Sequence, residues 1–202
     1  MNLTNPVTWN WIFGLTTVIG TILTIAYGQK SARLERENKS ITWTDVQSAA
    51  NDLAQDIKPG FVPDLIFAPG ARGGIFAYLM AQELGCNPPV FIGFTEWKEN
   101  RPPAVAMYSY VVCETNKWRV HMPEGMFSDP SKKVLIADDF AASGDAMEKI
   151  KDAFVAKGFA LDKLRMVTIV TTKVAVNSKK APTYYWRKSD SMDFYFPWGK
   201  AK

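Results

Sequence analysis

Hydrophobic and polar positions divide the chain into an uncharged N-terminal stretch and a longer region in which strand-like and helix-like patterns alternate. From Val7 to Tyr27 no side chain is charged, and Ile, Leu, Val, Phe and Trp dominate. About 20 such residues, at about 1.5 Å of helical rise each, span a hydrocarbon core of about 30 Å. Trp9, Trp11 and Tyr27 fall near the ends, where interfacial aromatics sit. Residues 1–28 therefore read as a transmembrane anchor and 29–40 as a charged juxtamembrane linker. Lys30, Arg33, Arg36 and Lys39 follow the stretch and no basic residue precedes it, which places the C-terminal domain in the cytoplasm. Two other readings stay open. Small residues at Ala26 and Gly28 suit a cleaved signal peptide, although the basic n-region is missing. Threonines at 8, 16, 17, 21 and 24 dilute the hydrophobicity, as in a helix packed on a partner or on the rest of the chain.

Residues 41–202 read as one domain. Thr42-Trp43-Thr44-Asp45 has the form of a capping box, and Trp43, Val46, Ala50, Leu53 and Ile57 then recur at helical spacing until Lys58-Pro59-Gly60. Short apolar runs at 64–69, 89–94, 134–137 and 164–172 predict buried strands. Helices are expected over 73–84 and 144–157, and 105–112 with 117–122 as a hairpin. This alternation predicts right-handed βαβ units and an α/β fold with a mostly parallel sheet.

Composition narrows the chemistry. The formal net charge of +4 is small for 202 residues and the basic residues are scattered, so no nucleic-acid partner is indicated. Cys86 and Cys113 form no CxxC, and nothing suggests a disulfide framework. A single histidine, His121, excludes a histidine-pair metal site.

Two segments carry the candidate chemistry. In the first, Val134-Leu135-Ile136-Ala137 runs into Asp138-Asp139, then Phe140-Ala141-Ala142-Ser143-Gly144-Asp145-Ala146 and the start of a helix. Small residues let backbone N–H groups close on a phosphate, and the helix N-terminus adds a favourable dipole. The two carboxylates stand where ribose hydroxyls can donate to them. In the second, Asp64 to Pro69 leads into Gly70-Ala71-Arg72-Gly73-Gly74, again followed by a helix. The glycines permit close backbone approach, and a guanidinium matches a pyrophosphate with a planar fork of donors.

These segments, in this order, resemble the phosphoribosyl-pyrophosphate (PRPP) loop and the pyrophosphate loop of type I phosphoribosyltransferases. The resemblance extends over nearly all of 41–198 and is nearest to the 6-oxopurine branch, the xanthine, guanine and hypoxanthine enzymes. It implies a central, mostly parallel sheet flanked by helices with a small hood, here preceded by one transmembrane helix. It implies Asp138, Asp139 and Arg72 as catalytic residues. It implies PRPP or phosphate contacts at Ala71, Arg72, Gly73, Asp138, Asp139, Ala141, Ala142, Ser143, Gly144, Asp145 and Ala146. Val167 to Lys173 resembles the strand ending in the family's base-reading lysine, and Phe194 to Trp198 its aromatic hood. Lys173, Phe194 and Trp198 are thereby implied as base-binding. Mg²⁺ is the implied cofactor, held by Asp138 and Asp139 directly or through the bound ligand. A homo-oligomer is implied, and the segment from Glu96 to Met107 is the expected lid.

The resemblance breaks at Ala142, where purine enzymes commonly carry an aspartate that exchanges a proton with N7. It also breaks at Asp193, where the usual hood tryptophan falls. Two function classes stay open. One is a membrane-held phosphoribosyltransferase with a purine-like base. The other is a catalytically altered PRPP- or nucleotide-binding sensor, regulator or membrane-associated defence or toxin effector.

Overall fold

The computed structural model describes residues 21–31, 39–98 and 109–201. The chain divides into two compact units, 1–40 and 41–202. In the first, residues 21–31 form helix α1, whose side chains, among them Ile22, Leu23, Ile25 and Tyr27, are exposed. Most of the expected span over 7–27 lies outside the described residues. Among the described residues no helix is long and apolar enough to cross a membrane.

The second unit opens with α2 (Trp43–Ile57). The capping box forms as the sequence predicts: the Asp45 N–H donates to the Thr42 hydroxyl at 3.2 Å, and the Thr42 N–H donates to the Asp45 carboxylate at 2.7 Å. Each bond satisfies a main-chain donor that a helix start otherwise leaves orphaned. Val46, Ala49, Ala50, Leu53, Ala54 and Ile57 make the buried face. Strand β1 (Leu65–Ala68), helix α3 (Ala71–Leu84) and strand β2 (Val90–Ile92) follow. Helix α3 stops at Gly85, whose φ of 76° is the left-handed conformation that favours glycine.

The run over 89–94, expected as one strand, is two. Beyond β2 the chain turns at Gly93 into β3 (Phe94–Trp97), which belongs to a different sheet. A Cβ at Gly93 would stand 2.6 Å from the His121 carbonyl oxygen, so the crossing requires glycine. The expected hairpin forms as β4 (Tyr110–Glu114) and β5 (Trp118–Pro123), antiparallel, with β3 on the other side of β5. Residues 105–108 of the expected hairpin lie outside the described residues.

Strand β6 (Val134–Ala141) is longer than its apolar run, because it continues through both aspartates. Helix α4 (Asp145–Ala156), strand β7 (Leu164–Thr172), the short helix α5 (Lys173–Asn177) and strand β8 (Tyr184–Ser189) complete the sheet. The pattern analysis leaves β8 out, as well as the C-terminal pair β9 (Tyr195–Phe196) and β10 (Gly199–Lys200).

The main sheet has the order β2-β1-β6-β7-β8 and is parallel throughout. Central strands of such a sheet are covered on both faces, which explains their unbroken apolar runs. On one face α2, α3 and the C-terminal aromatics Phe194 and Phe196 enclose a core with Ile66, Leu135, Ile169 and Val170. On the other, α4 and the antiparallel sheet enclose Phe67, Met122, Ile136, Phe154 and Phe159. Phe154 lies at the centre of this second core, with ring centroids 5.0 Å from Phe127, 5.2 Å from Phe159 and 5.9 Å from Phe67.

Truncating so enclosed a ring removes its transfer energy and leaves a cavity. Phe154→Ala is expected to cost about 3–5 kcal/mol. Thermal unfolding checks it, with the midpoint falling by roughly 10 °C.

Candidate functional site

Strands β1 and β6 are parallel neighbours, so their C-terminal ends bring two loops together on one edge of the sheet. Ligands in open α/β sheets bind at this edge. Arg72 lies in the first turn of α3, directly after β1. Asp138 and Asp139 lie near the end of β6. The two segments approach so closely that a Cβ at Gly73 would stand 2.7 Å from Asp138 Oδ1 and 3.0 Å from the Ala137 carbonyl oxygen. Any side chain at Gly73 would push α3, and Arg72 with it, off the end of β6.

Asp139 is buried and Asp138 half-buried, and loss of water penalises the charged form of each. Burial, reinforced by the neighbouring Asp139 charge, pushes the Asp138 carboxyl well above the ordinary carboxylate range. Burial raises Asp139 as well; a hydrogen bond from Trp198 and the positive charge of Arg72 oppose it. The Trp198 Nε1–H donates to Asp139 Oδ2 at 2.8 Å. The Asp139 N–H donates to Asp138 Oδ1 at 2.9 Å. Arg72 Nη1 donates to the Lys200 carbonyl at 2.6 Å. Arg72, Gly73, Asp138, Asp139 and Trp198 thus form one cluster, and the main chain of the C-terminal hairpin reaches into it.

The loop after β6 is braced from the neighbouring strand. Thr171 Oγ1 donates to the Ala141 carbonyl at 3.4 Å, and Thr172 Oγ1 donates to the Ala142 carbonyl. Gly144 precedes α4 with φ 81°, and a Cβ there would collide with the Lys180 carbonyl. Ala141 is buried in the second core, Ala142 and Ser143 are half-buried, and Ala71 and Ala146 are exposed. The Ser143 hydroxyl donates to Asp145 Oδ2 at 2.8 Å, and Lys180 Nζ lies 2.5 Å from Asp145 Oδ1. Lys180 and then Ser143 hold the Asp145 carboxyl below its ordinary range. Asp145 is therefore committed to bracing the loop.

Two of the implied base-binding residues have partners of their own. Lys173 begins α5 and forms an ion pair with Asp190 at 2.9 Å, both side chains more than half exposed. Phe194 is 1% exposed, enclosed by Phe140, Phe196 and Arg187, and has no free face for a ligand. Of the expected lid, Glu96 and Trp97 are in β3, and Lys98 pairs with Glu114 at 2.7 Å. Residues 99–107 lie outside the described residues.

Sequence reasoning missed Thr172, Lys180 and the Lys200 carbonyl. The paired threonines ending β7 are a usable signal, since a hydroxyl there can reach the adjacent strand end. Lys180 sits in a stretch without a motif, and a carbonyl contact leaves no trace in residue identity.

Among the described residues no three His, Cys, Asp or Glu side chains converge to hold a metal. Mg²⁺ takes about six oxygen ligands and usually draws several from water and phosphate. Asp138 and Asp139 alone cannot complete such a shell. They do fit an ion that arrives with a polyphosphate, since the pair is a diacid lacking a second full positive charge.

A group whose folded pKa is raised contributes stability that is complete below its unfolded pKa and lost as pH rises through the folded value. For Asp138 that window opens at about pH 4 and extends upward. Asp138→Asn, which keeps the acceptor for the Asp139 N–H, is expected to raise the melting temperature of the ligand-free protein by several degrees at pH 7.5. The gain should vanish at pH 4. Melting curves at the two pH values check this.

Residues 42–200 match the sequence profile of the phosphoribosyl transferase domain family. Solved structures share the fold. A purine phosphoribosyltransferase from Pyrococcus horikoshii Ot3 is 21% identical, with a TM-score of 0.59 over 81% of this chain and 94% of that one. A hypothetical protein from Neisseria gonorrhoeae with bound ppGpp is 18% identical, with a TM-score of 0.58 over 80% of this chain and 89% of that one. A hypoxanthine phosphoribosyltransferase from Staphylococcus aureus is 18% identical, with a TM-score of 0.52 over 75% and 77%. No functionally curated protein matches the sequence. With the profile spanning both loops and the parallel sheet that aligns them, the chain belongs to the phosphoribosyl transferase domain family.

Proposed function

We propose that this chain is a membrane-anchored protein of the 6-oxopurine type that binds PRPP or a nucleotide with Mg²⁺ and transfers the phosphoribosyl group to a purine-like base. The observation that carries the reading is the Asp138–Asp139 pair, half-buried and buried in turn, beside the charge of Arg72. A diacid beside a guanidinium suits a ligand that combines hydroxyls with a polyanion. The 5′-phosphate would take the braced loop 141–146 and the start of α4, and the ribose hydroxyls would donate to Asp138 and Asp139. Arg72 would hold the pyrophosphate. Mg²⁺ bound with the pyrophosphate supplies neutralisation of the leaving group.

In the transfer a base nitrogen bonds to C1 of the ribose, the C1–O bond to pyrophosphate breaks, and the base gives up a proton. Positive charge develops on the ribose ring, where the two carboxylates stabilise it. Arg72 stabilises the charge gathering on the pyrophosphate.

A second reading is a PRPP- or nucleotide-binding sensor or effector with altered catalysis. Three observations favour it. Ala142 supplies no proton-exchanging carboxylate, and Asp145 is taken up by Lys180. Lys173 is paired with Asp190. Phe194 is core.

The uncharged stretch over 7–27, with the exposed apolar side chains of α1, supports a single-pass anchor with the family domain in the cytoplasm. Self-association is proposed on family grounds.

The full-length protein, supplied with PRPP, Mg²⁺ and a panel of purine bases, is expected to release pyrophosphate with at least one base. Saturable PRPP binding without turnover would favour the second reading, and no binding would remove both. The double substitution Asp138→Asn with Asp139→Asn is expected to weaken PRPP binding at least 100-fold by calorimetry, two charge-assisted contacts at about 1.5–3 kcal/mol each. For the anchor, the expected outcome is retention of the intact protein in the membrane fraction after carbonate washing; release would overturn it.

A further inference from the structure

We propose that Trp198 is a positioning residue for the sugar subsite: its indole N–H sets the direction of the Asp139 carboxylate, and the C-terminal hairpin that carries it ties both ligand-binding loops together. The proposal rests on the PRPP or nucleotide reading above and reassigns a ring expected to stack on the base.

The ring is already engaged. It lies parallel to Phe196, with centroids 5.3 Å apart and an interplanar angle of 9°, and meets Trp43 of α2 edge-on at 5.5 Å. Its one polar atom points at Asp139, with Nε1 to Oδ2 at 2.8 Å. A carboxylate can turn about its last bond. One short charge-assisted hydrogen bond from a ring packed against two aromatics removes that freedom and fixes where the other oxygen looks.

The hairpin is itself anchored to the domain. Gly199 pairs with Phe196 and Lys200 with Tyr195 across β9 and β10. The Ala201 N–H donates to the Phe194 carbonyl at 2.8 Å, and the Ile41 N–H donates to the Tyr195 carbonyl at 3.1 Å. Two residues beyond Trp198, the Lys200 carbonyl accepts the Arg72 guanidinium at 2.6 Å. One short segment therefore contacts the sugar-binding carboxylate through a side chain and the pyrophosphate-binding arginine through its main chain. The role of Trp198 is confined to the first of these contacts, so its loss should be felt by sugar hydroxyls and not by pyrophosphate. A residue that only supports the fold would weaken both.

The test is W198F in the full-length protein. Phenylalanine keeps an aromatic ring between Phe196 and Trp43 and deletes the N–H. Calorimetry with ribose 5-phosphate and with pyrophosphate, each with Mg²⁺, is expected to show ribose 5-phosphate binding about tenfold weaker and pyrophosphate binding within twofold of the parent. Unchanged ribose 5-phosphate affinity, or equal losses for the two ligands, overturns the proposal. A measurement on the unsubstituted protein guards against a variant that fails to fold. With ¹⁵N-labelled indoles, ribose 5-phosphate should move the Trp198 N–H resonance, and a resonance that ignores it overturns the proposal. If the parent protein binds neither ligand, the PRPP reading falls and this proposal falls with it. A parent that binds both while W198F behaves identically sinks the positioning role alone.

Discussion

Two adjacent carboxylates, Asp139 buried and Asp138 half-buried, near the end of a central strand are the constraint around which this domain is arranged. An isolated buried carboxylate is costly unless it is protonated, hydrogen-bonded or paired with a cation. Each compensation used here comes from a different part of the chain. Arg72 arrives from the first turn of α3, the Trp198 indole from the C-terminal hairpin, and the Asp139 N–H from the strand itself. These arrivals dictate local sequence in turn. Gly73 is required because α3 lies against Asp138 and the Ala137 carbonyl. The last residues of the domain fold back across the sheet to deliver Trp198. Burial still holds both carboxyls above their ordinary range despite these partners.

The loop after β6 follows a different logic, because backbone does the work there. Gly144 takes a left-handed conformation against the Lys180 carbonyl, where no side chain fits. Thr171 and Thr172 fasten the preceding carbonyls to β7. Lys180 and Ser143 draw Asp145 into the brace. Ala142 offers no carboxyl, and the nearest one along the chain has another task. Beyond β7, Lys173 pairs with Asp190, and Phe194 lies in the core.

Much of this was legible from residue order. The capping box at Thr42–Asp45 forms because its two bonds are local. Strand β7 matches its expected bounds residue for residue, since β-branched and apolar residues dominate a strand covered on both faces. Strand β6 outran its pattern. Asp138 and Asp139 are polar, yet the strand runs through them, with Asp138 opposite Thr168 and Phe140 opposite Val170, because main-chain hydrogen bonding does not depend on side-chain polarity. The division of 89–97 into two strands at Gly93 was hidden, because the close approach of the His121 carbonyl is a long-range fact. Strands β8, β9 and β10 were missed; the last two are too short to show a period.

The amino-acid order by itself determined the α/β class, the two loop motifs, the pairing of Asp138–Asp139 with Arg72 as candidate chemistry, and the uncharged N-terminal stretch. Those features rest on local periodicity, local turn chemistry and residue type. Only the tertiary structure decided what each side chain does in the cluster. Trp198 became a hydrogen-bond donor to a carboxylate, Phe194 a core residue, and Lys173 one half of a surface ion pair. Lys180, which belongs to no motif, became a brace of the loop after β6. Such roles depend on which distant segments meet at the end of the sheet and on how much solvent they leave there. Neither quantity is a property of a residue's neighbours in sequence.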